Sequence, residues 1–156
     1  VILISSCMAG LATRYDGNDA YVPALDQLVR AGKAVLACPE QLGGLPTPRP
    51  PAEIVGGDGY DVLDGKARVI DANGRDVTAA FLKGAEQTLK LARAVGAKQA
   101  VLKENSPSCG SSFIYDGTFR GEKQSGAGVT TALLERNGIQ VISEAELAHL
   151  FPEGSI

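Results

Sequence analysis

Apolar positions change period several times along the chain. Val1 to Ser6 (VILISS), Ala34 to Ala37, Gln99 to Leu102 and Ile139 to Ile142 are short, nearly unbroken apolar runs rich in β-branched residues, the signature of strands buried on both faces. Between them the period lengthens to that of a helix. Pro23-Ala-Leu-Asp-Gln-Leu-Val-Arg-Ala-Gly32 has Pro at the start, apolar residues three and four apart, and Gly as the stop. Thr78 to Val95 places Phe81, Ala85, Leu89 and Ala92 on one side and ends at Gly96. Further helices are expected from about Gly128 to Arg136 and from Glu144 to Phe151. Strands alternating with helices in this way predict an α/β fold: an open, mainly parallel, Rossmann-like sheet with helices on both faces and right-handed crossovers. Ligands of such sheets bind beyond the carboxyl ends of the strands.

Two stretches interrupt the alternation. Pro39 to Gly59, with QLGGLPTPRPP at its centre, fits neither period and is expected to be a long loop, a class of segment that is more often functional than idle. Tyr60 to Val77 contains Arg68-Val-Ile-Asp followed by Asn73-Gly74, which predicts a small β-hairpin insertion. A further loop runs through Tyr115-Asp-Gly-Thr-Phe119. The 156 residues suit one domain, 1–156, with one core.

Composition narrows the partners. Hydrophobic content of 44% with 21% charged residues is that of a folded globular chain, and no apolar run reaches the roughly 18 residues of a membrane span. The apolar start has no basic region before it and soon meets Arg14 and Asp16, so it reads as a strand and not a signal peptide, and the cytoplasm is the expected location. A net charge of -3 argues against extended contact with nucleic-acid phosphates. The absence of Trp, with only 4 Tyr and 4 Phe, removes the stacking platform of a single-strand binder. A small-molecule partner is expected instead.

The chemistry lies in three cysteines. An odd count cannot be closed into disulfides, and a reducing compartment favours free or metal-bound thiolates. Taken singly, each would be read as a buried core thiol. Yet Cys7, Cys38 and Cys109 all lie at or just beyond the carboxyl end of a predicted strand, each beside a Gly or Pro turn signal, which favours one shared metal centre. Zinc would want a fourth protein ligand, and His149, in an Ala-His-Leu-Phe context on the last predicted helix, reads as an ordinary helix residue. Three thiolates suit a 4Fe-4S cluster with one iron left open.

Several polar residues sit close by in sequence. Glu40, two residues after Cys38, is either a general acid or base or an exposed loop charge. Ser106 and Ser108 flank Pro107 ahead of Cys109, where they could orient a substrate or merely form the turn. Arg14-Tyr-Asp-Gly17 and Tyr115-Asp-Gly117 are turn-compatible, with Arg14 and Asp16 candidates for the pocket wall. Arg49 could meet an anion or pair with Glu53. Gly126 to Thr131 lacks the Lys and the spacing of a phosphate loop, so nucleotide phosphate binding is not expected.

Three segments carry a resemblance. Cys7-Met-Ala-Gly10 with Arg14-Tyr-Asp-Gly17, Cys38-Pro-Glu-Gln-Leu-Gly-Gly-Leu-Pro-Thr-Pro-Arg49, and Ser106-Pro-Ser-Cys-Gly110 with Tyr115-Asp-Gly-Thr-Phe119 resemble the thiouracil desulfidase family over almost the whole chain. The resemblance implies a 4Fe-4S cluster on Cys7, Cys38 and Cys109, used without redox change to remove sulfur from thiolated nucleobases such as 2-thiouracil. It also implies Glu40 and Ser106 as catalytic partners. The expected reaction is attack of water on a thiocarbonyl polarised by the open iron, giving the oxo base and hydrogen sulfide, with Glu40 moving protons. Transfer of the sulfide to an acceptor, or a non-catalytic iron-sulfur or zinc module, are the alternatives.

Overall fold

A computed structural model of the chain describes residues 1–147. The elements run β1 (Ile2–Ser5), a 3-10 turn (Ser6–Ala9), α1 (Pro23–Arg30), β2 (Ala34–Ala37), α2 (Pro39–Leu42), β3 (Ala52–Val55), α3 (Gly59–Leu63) and β4 (Arg68–Asp71). They continue with α4 (Thr78–Ala94), β5 (Gln99–Leu102), β6 (Phe113–Tyr115), β7 (Lys123–Ser125), α5 (Val129–Arg136), β8 (Gln140–Ser143) and a 3-10 turn (Glu144–Glu146). Half of the final predicted helix, His149 included, lies outside the described residues.

The four apolar runs form one sheet in the order β2-β1-β5-β8, with every neighbouring pair parallel. Register follows from the period of two. Leu3 lies opposite Ala100, and Ala100 opposite Val141, so these side chains share one face, where they meet Leu89 and Ala92 of α4 and Leu134 of α5. Ile4, Val101 and Ile142 fall on the other face and pack on Leu25 and Leu28 of α1. Leu3 and Ile4 are fully buried, each contributing about 1.5–3 kcal/mol of transfer free energy. The chain leaves β1 toward β2 on one side and returns to place β5 on the other. The carboxyl ends of β1 and β5 therefore flank a topological switch point, where open α/β sheets bind ligands.

A smaller layer is built from the interruptions. β3 and β4 pair antiparallel, as do β6 and β7, and a third core cluster joins Ile54, Val69 and Ile114 to Phe81 and Val129. Two glycines bring α2 hard against α4. A Cβ on Gly84 would sit 2.0 Å from the Pro39 carbonyl oxygen, and one on Gly43 would sit 2.1 Å from that of Ala80.

The interruptions are more ordered than the sequence predicts. Pro39 to Gly59 is not a continuous loop: it holds α2, β3 and the start of α3, elements too short to show a period. The predicted hairpin does turn at Asn73-Gly74, with the Asp71 N–H bonded to the Arg75 carbonyl and the Val77 N–H to that of Val69. The principal partner of β4, however, is β3. The complete hairpin is β6–β7, in a stretch expected to be a loop. Among the described residues no helix is long and apolar enough to cross a membrane.

Candidate functional site

Each cysteine is placed by a local bend. Cys7 follows β1 in the Ser6–Ala9 turn, which ends at Gly10 with φ +97°, a conformation that favours glycine. The Cys7 carbonyl accepts N–H bonds from Gly10 and Ala20. Cys38 follows β2 in extended backbone and caps α2, whose first residue is Pro39. Cys109 follows β5 at a distance. Its loop is tied by Ser106, whose Oγ accepts the N–H groups of Ser108 at 3.0 Å and Cys109 at 3.1 Å. Behind that loop Gly128 permits close approach, since a Cβ there would lie 2.5 Å from the Ser108 carbonyl. All three sulfur side chains line one cavity of about 510 Å³, together with Glu40, Ser106 and Arg14. That volume is ordinary for a small-ligand site.

The thiols are free, and the wall around them disfavours charge. Burial, reinforced by the Glu40 and Cys38 charges, raises Cys7 from its ordinary 9.0 to about 11, with Arg14 and Lys103 pulling weakly the other way. Burial likewise pushes Cys109 well up, and Cys38 up, with Glu40 again the next cause. The Cys38 thiol donates to the Thr13 carbonyl at 3.7 Å. Protons therefore stay on sulfur until a soft metal displaces them, and binding such a metal releases them. Among the described residues no group of three His, Cys, Asp or Glu side chains is gathered tightly enough to hold a single ion. Three thiols in one cavity whose lining, among the described residues, holds no histidine and no fourth thiol suit an iron-sulfur cluster better than a structural zinc.

Glu40 stands at the first turn of α2. Arg49 donates to its Oε2 at 2.7 Å, and both side chains are largely enclosed, 6% exposed for Arg49 and 14% for Glu40. The same guanidinium donates to the Thr13 carbonyl at 3.1 Å, Thr47 Oγ1 at 3.0 Å and the Pro46 carbonyl at 3.3 Å. Arg49 thus joins the segment after Cys7 to the segment after Cys38. Burial raises the Glu40 pKa in spite of this cation, with Ser108 and Ser106 as lesser opposing influences. Oε1 remains buried without a hydrogen-bond partner. An orphaned buried carboxylate oxygen is costly, and in a cavity wall it marks a place for a ligand or a proton.

Known proteins resemble this chain over nearly all of its length. The family described as 2-thiouracil desulfurase matches residues 2–146. The chain belongs to that family. A relative from Bacillus subtilis (strain 168), the uncharacterized protein YbbK, is 54% identical over 147 residues, covering 94% of this chain and 97% of that protein. A solved structure of TudS, described as a 4Fe-4S-dependent thiouracil desulfidase, is similar with a TM-score of 0.84 and 48% identity, over 96% of this chain and 93% of that one.

The cavity brings together most, but not all, of the residues singled out from the sequence. Cys7, Cys38, Cys109, Glu40, Ser106 and Arg14 line the cavity. Ser108 does not: it is buried, its hydroxyl shares a 2.7 Å hydrogen bond with Thr130 Oγ1, and it acts on the cavity only through its influence on the Glu40 carboxylate. Asp16 is also off the wall, an exposed turn residue whose Oδ1 accepts the Asn18 N–H. Arg49 pairs with Glu40 and not with Glu53, because the Glu53 carboxylate is taken by the N–H groups of Gly117 and Phe119. Sequence reasoning missed Glu104, whose Oε1 accepts N–H bonds from Asn105, Ser111, Ser112 and Phe113 and so shapes the loop that carries Cys109. A carboxylate facing a Ser- and Gly-rich stretch seven to nine residues on was the available signal.

Proposed function

We propose that this chain removes sulfur from thiolated nucleobases of the 2-thiouracil kind by hydrolysis, holding a 4Fe-4S cluster on Cys7, Cys38 and Cys109. Its matched span acts as one catalytic domain. The observation that carries the reading is the convergence on one cavity of three free thiols, two just past β1 and β2 and the third on the loop after β5, beside a carboxylate with an unpartnered buried oxygen. The donor set fits the group: thiolates match the softness of iron-sulfur clusters, and three of them leave one iron without a protein ligand. When bound, the cluster supplies a Lewis acid that polarises a C=S bond.

The residues supply the rest. Arg49 fixes Glu40 through Oε2, which leaves Oε1 to take a proton from an attacking water and deliver it to departing sulfur. Ser106 accepts two backbone N–H bonds on its Oγ and its hydroxyl lies beside the Glu40 carboxylate, where it can orient a substrate or water next to the proton-transfer group. Carbon gains oxygen from water as the C–S bond breaks, and the sulfur leaves as hydrogen sulfide.

Anaerobic reconstitution with iron and sulfide, followed by turnover of 2-thiouracil, tests the proposal. Brown protein yielding uracil and free sulfide in equal amounts is expected. Uracil formed without an equal amount of free sulfide would instead favour transfer. Cys109→Ala is expected to lose the full iron content and all turnover. Glu40→Gln should keep its iron and colour while turnover falls about 10²- to 10⁴-fold; unchanged turnover would remove Glu40 from the proton-transfer role.

A further inference from the structure

Every polar side chain on the cavity wall can be asked what already occupies it. The Ser5 hydroxyl accepts the Lys103 N–H at 3.0 Å, and the Ser6 and Thr13 hydroxyls bond each other at 2.8 Å. Glu53, Asp71 and Glu104 accept backbone N–H groups, Glu40 takes Arg49, and Lys103 reaches Glu144 at 3.2 Å. The side chains of Arg14, Tyr15, Arg75, Tyr115 and Asn105 have no such partner among the described residues, and of these Asn105 alone carries a carboxamide, the one on the wall. Its backbone is held at φ +69°, in the left-handed region that asparagine tolerates better than most residues, by its N–H on Glu104 Oε1 and by a bridge to Ile114. It immediately precedes Ser106.

We infer that Asn105 is a specificity-determining residue of this cavity, reading the lactam edge of the pyrimidine through its carboxamide; the inference rests on the desulfidase reading. A ring N–H beside a ring C=O presents a donor and an acceptor side by side. A carboxamide presents the complementary acceptor and donor in one plane, which neither a hydroxyl nor a carboxylate can do in its ordinary state. A site built around such a pair rejects analogues that lack one partner, because the amide is then left unmatched. The left-handed backbone fixes where the amide sits, next to the serine that handles the reacting group.

The test uses Asn105→Gly. Glycine adopts positive φ freely, so the loop and its cysteine are kept while the amide is removed. Parent and variant are compared at equal iron content on 2-thiouracil and on pyrimidine-2-thione, which lacks the 4-oxo group. The parent is expected to prefer 2-thiouracil, and the variant to lose roughly ten- to a hundredfold in kcat/KM on that substrate while its preference contracts toward one. Calorimetric titration with uracil, which needs no turnover, should show affinity weakened by about tenfold or more. Asn105→Asp, which replaces the donor with a second acceptor, should lose the preference too, and it carries the test should the glycine variant fail to load iron. A preference unchanged in the variants overturns the inference, even if both rates fall. A fully loaded parent that turns over neither thione overturns the desulfidase reading, and the inference with it.

Discussion

Two guanidinium–carboxylate pairs in this protein have nearly the same bond length and opposite consequences. Arg49 meets Glu40 at 2.7 Å in the cavity wall; Arg68 meets Asp76 at 2.8 Å at the end of the β3–β4 ribbon. The first pair is enclosed, whereas the second is 58% and 43% exposed. At Glu40 burial wins and the pKa goes up; at Asp76 the hydrogen bonds from Arg68 and Thr78 win and it falls to about 2. Solvation, and not the partner, decides the sign. The ribbon's pair is an exposed link that water also solvates. The cavity keeps a carboxylate in surroundings that resist its charge, an arrangement common where proton transfer is needed and rare where only stability is at stake.

The largest contrast should come from deleting the two arginines. Arg49→Ala leaves a buried carboxylate without its cation and takes one donor from each of four acceptors, so a loss of about 3–5 kcal/mol in unfolding free energy is expected. Arg68→Ala should cost less than about 1 kcal/mol, since water replaces the partner of Asp76. Urea denaturation of both variants measures the difference. Equal losses would mean that enclosure is not what distinguishes the pairs. Adding Glu40→Gln to Arg49→Ala should recover part of the loss, because no charge is then stranded.

A smaller effect should come from moving Glu40 without changing it. Gly84 lets the first turn of α2 rest on α4, and a methyl at Gly84 would sit 2.0 Å from the Pro39 carbonyl oxygen. Gly84→Ala is expected to cost about 1–3 kcal/mol through overpacking, and to lower turnover as well by shifting the neighbouring Glu40. Gly65→Ala is a poor control, since Gly65 has φ +76°. Ala80→Gly, in the same α4 contact, leaves α2 in place and should cost only the helix propensity difference, about 1 kcal/mol, with turnover kept.

The frame was legible because its elements are long or strongly patterned. The four sheet strands, α1, α4 and α5 appear at the residues expected, since burial on both faces leaves unbroken apolar runs and a buried helical face leaves spacings of three and four. β3, β6 and β7 escaped because each has three or four residues and is only partly buried; Val55 and Phe113 are exposed. α2 is a single turn held by glycine contacts that no periodicity records. At the site, Cys7 and Cys38 follow β1 and β2 closely, as position suggested, whereas Cys109 lies seven residues beyond β5 on a loop whose path depends on Glu104 and Ser106. The Glu40–Arg49 pair was not legible, because it spans a proline-rich segment whose path depends on tertiary packing, and Glu53 was the nearer acid in sequence. Ser108 was indistinguishable from Ser106 without knowing that Thr130 lay behind it.

The smallest expected effect belongs to the exposed pair and has a pH signature. The Asp76 pKa lies below its ordinary 3.8, so its carboxylate binds protons less readily in the folded chain than in the unfolded one. Its contribution is then present above pH 3.8 and fades as the pH falls toward about 2. Asp76 Oδ1 also accepts the Thr78 N–H at the start of α4, so Asp76→Asn keeps an acceptor there while losing the charge that Arg68 meets. The variant should be less stable than the parent by under about 1 kcal/mol near pH 6, after allowing for solvent screening. The two denaturation curves should draw together as the pH approaches 2. A difference that persisted at pH 2, or grew, would show that Asp76 acts through its shape and not its charge, and the exposed pair would then no longer stand as the solvated counterpart of Glu40 and Arg49.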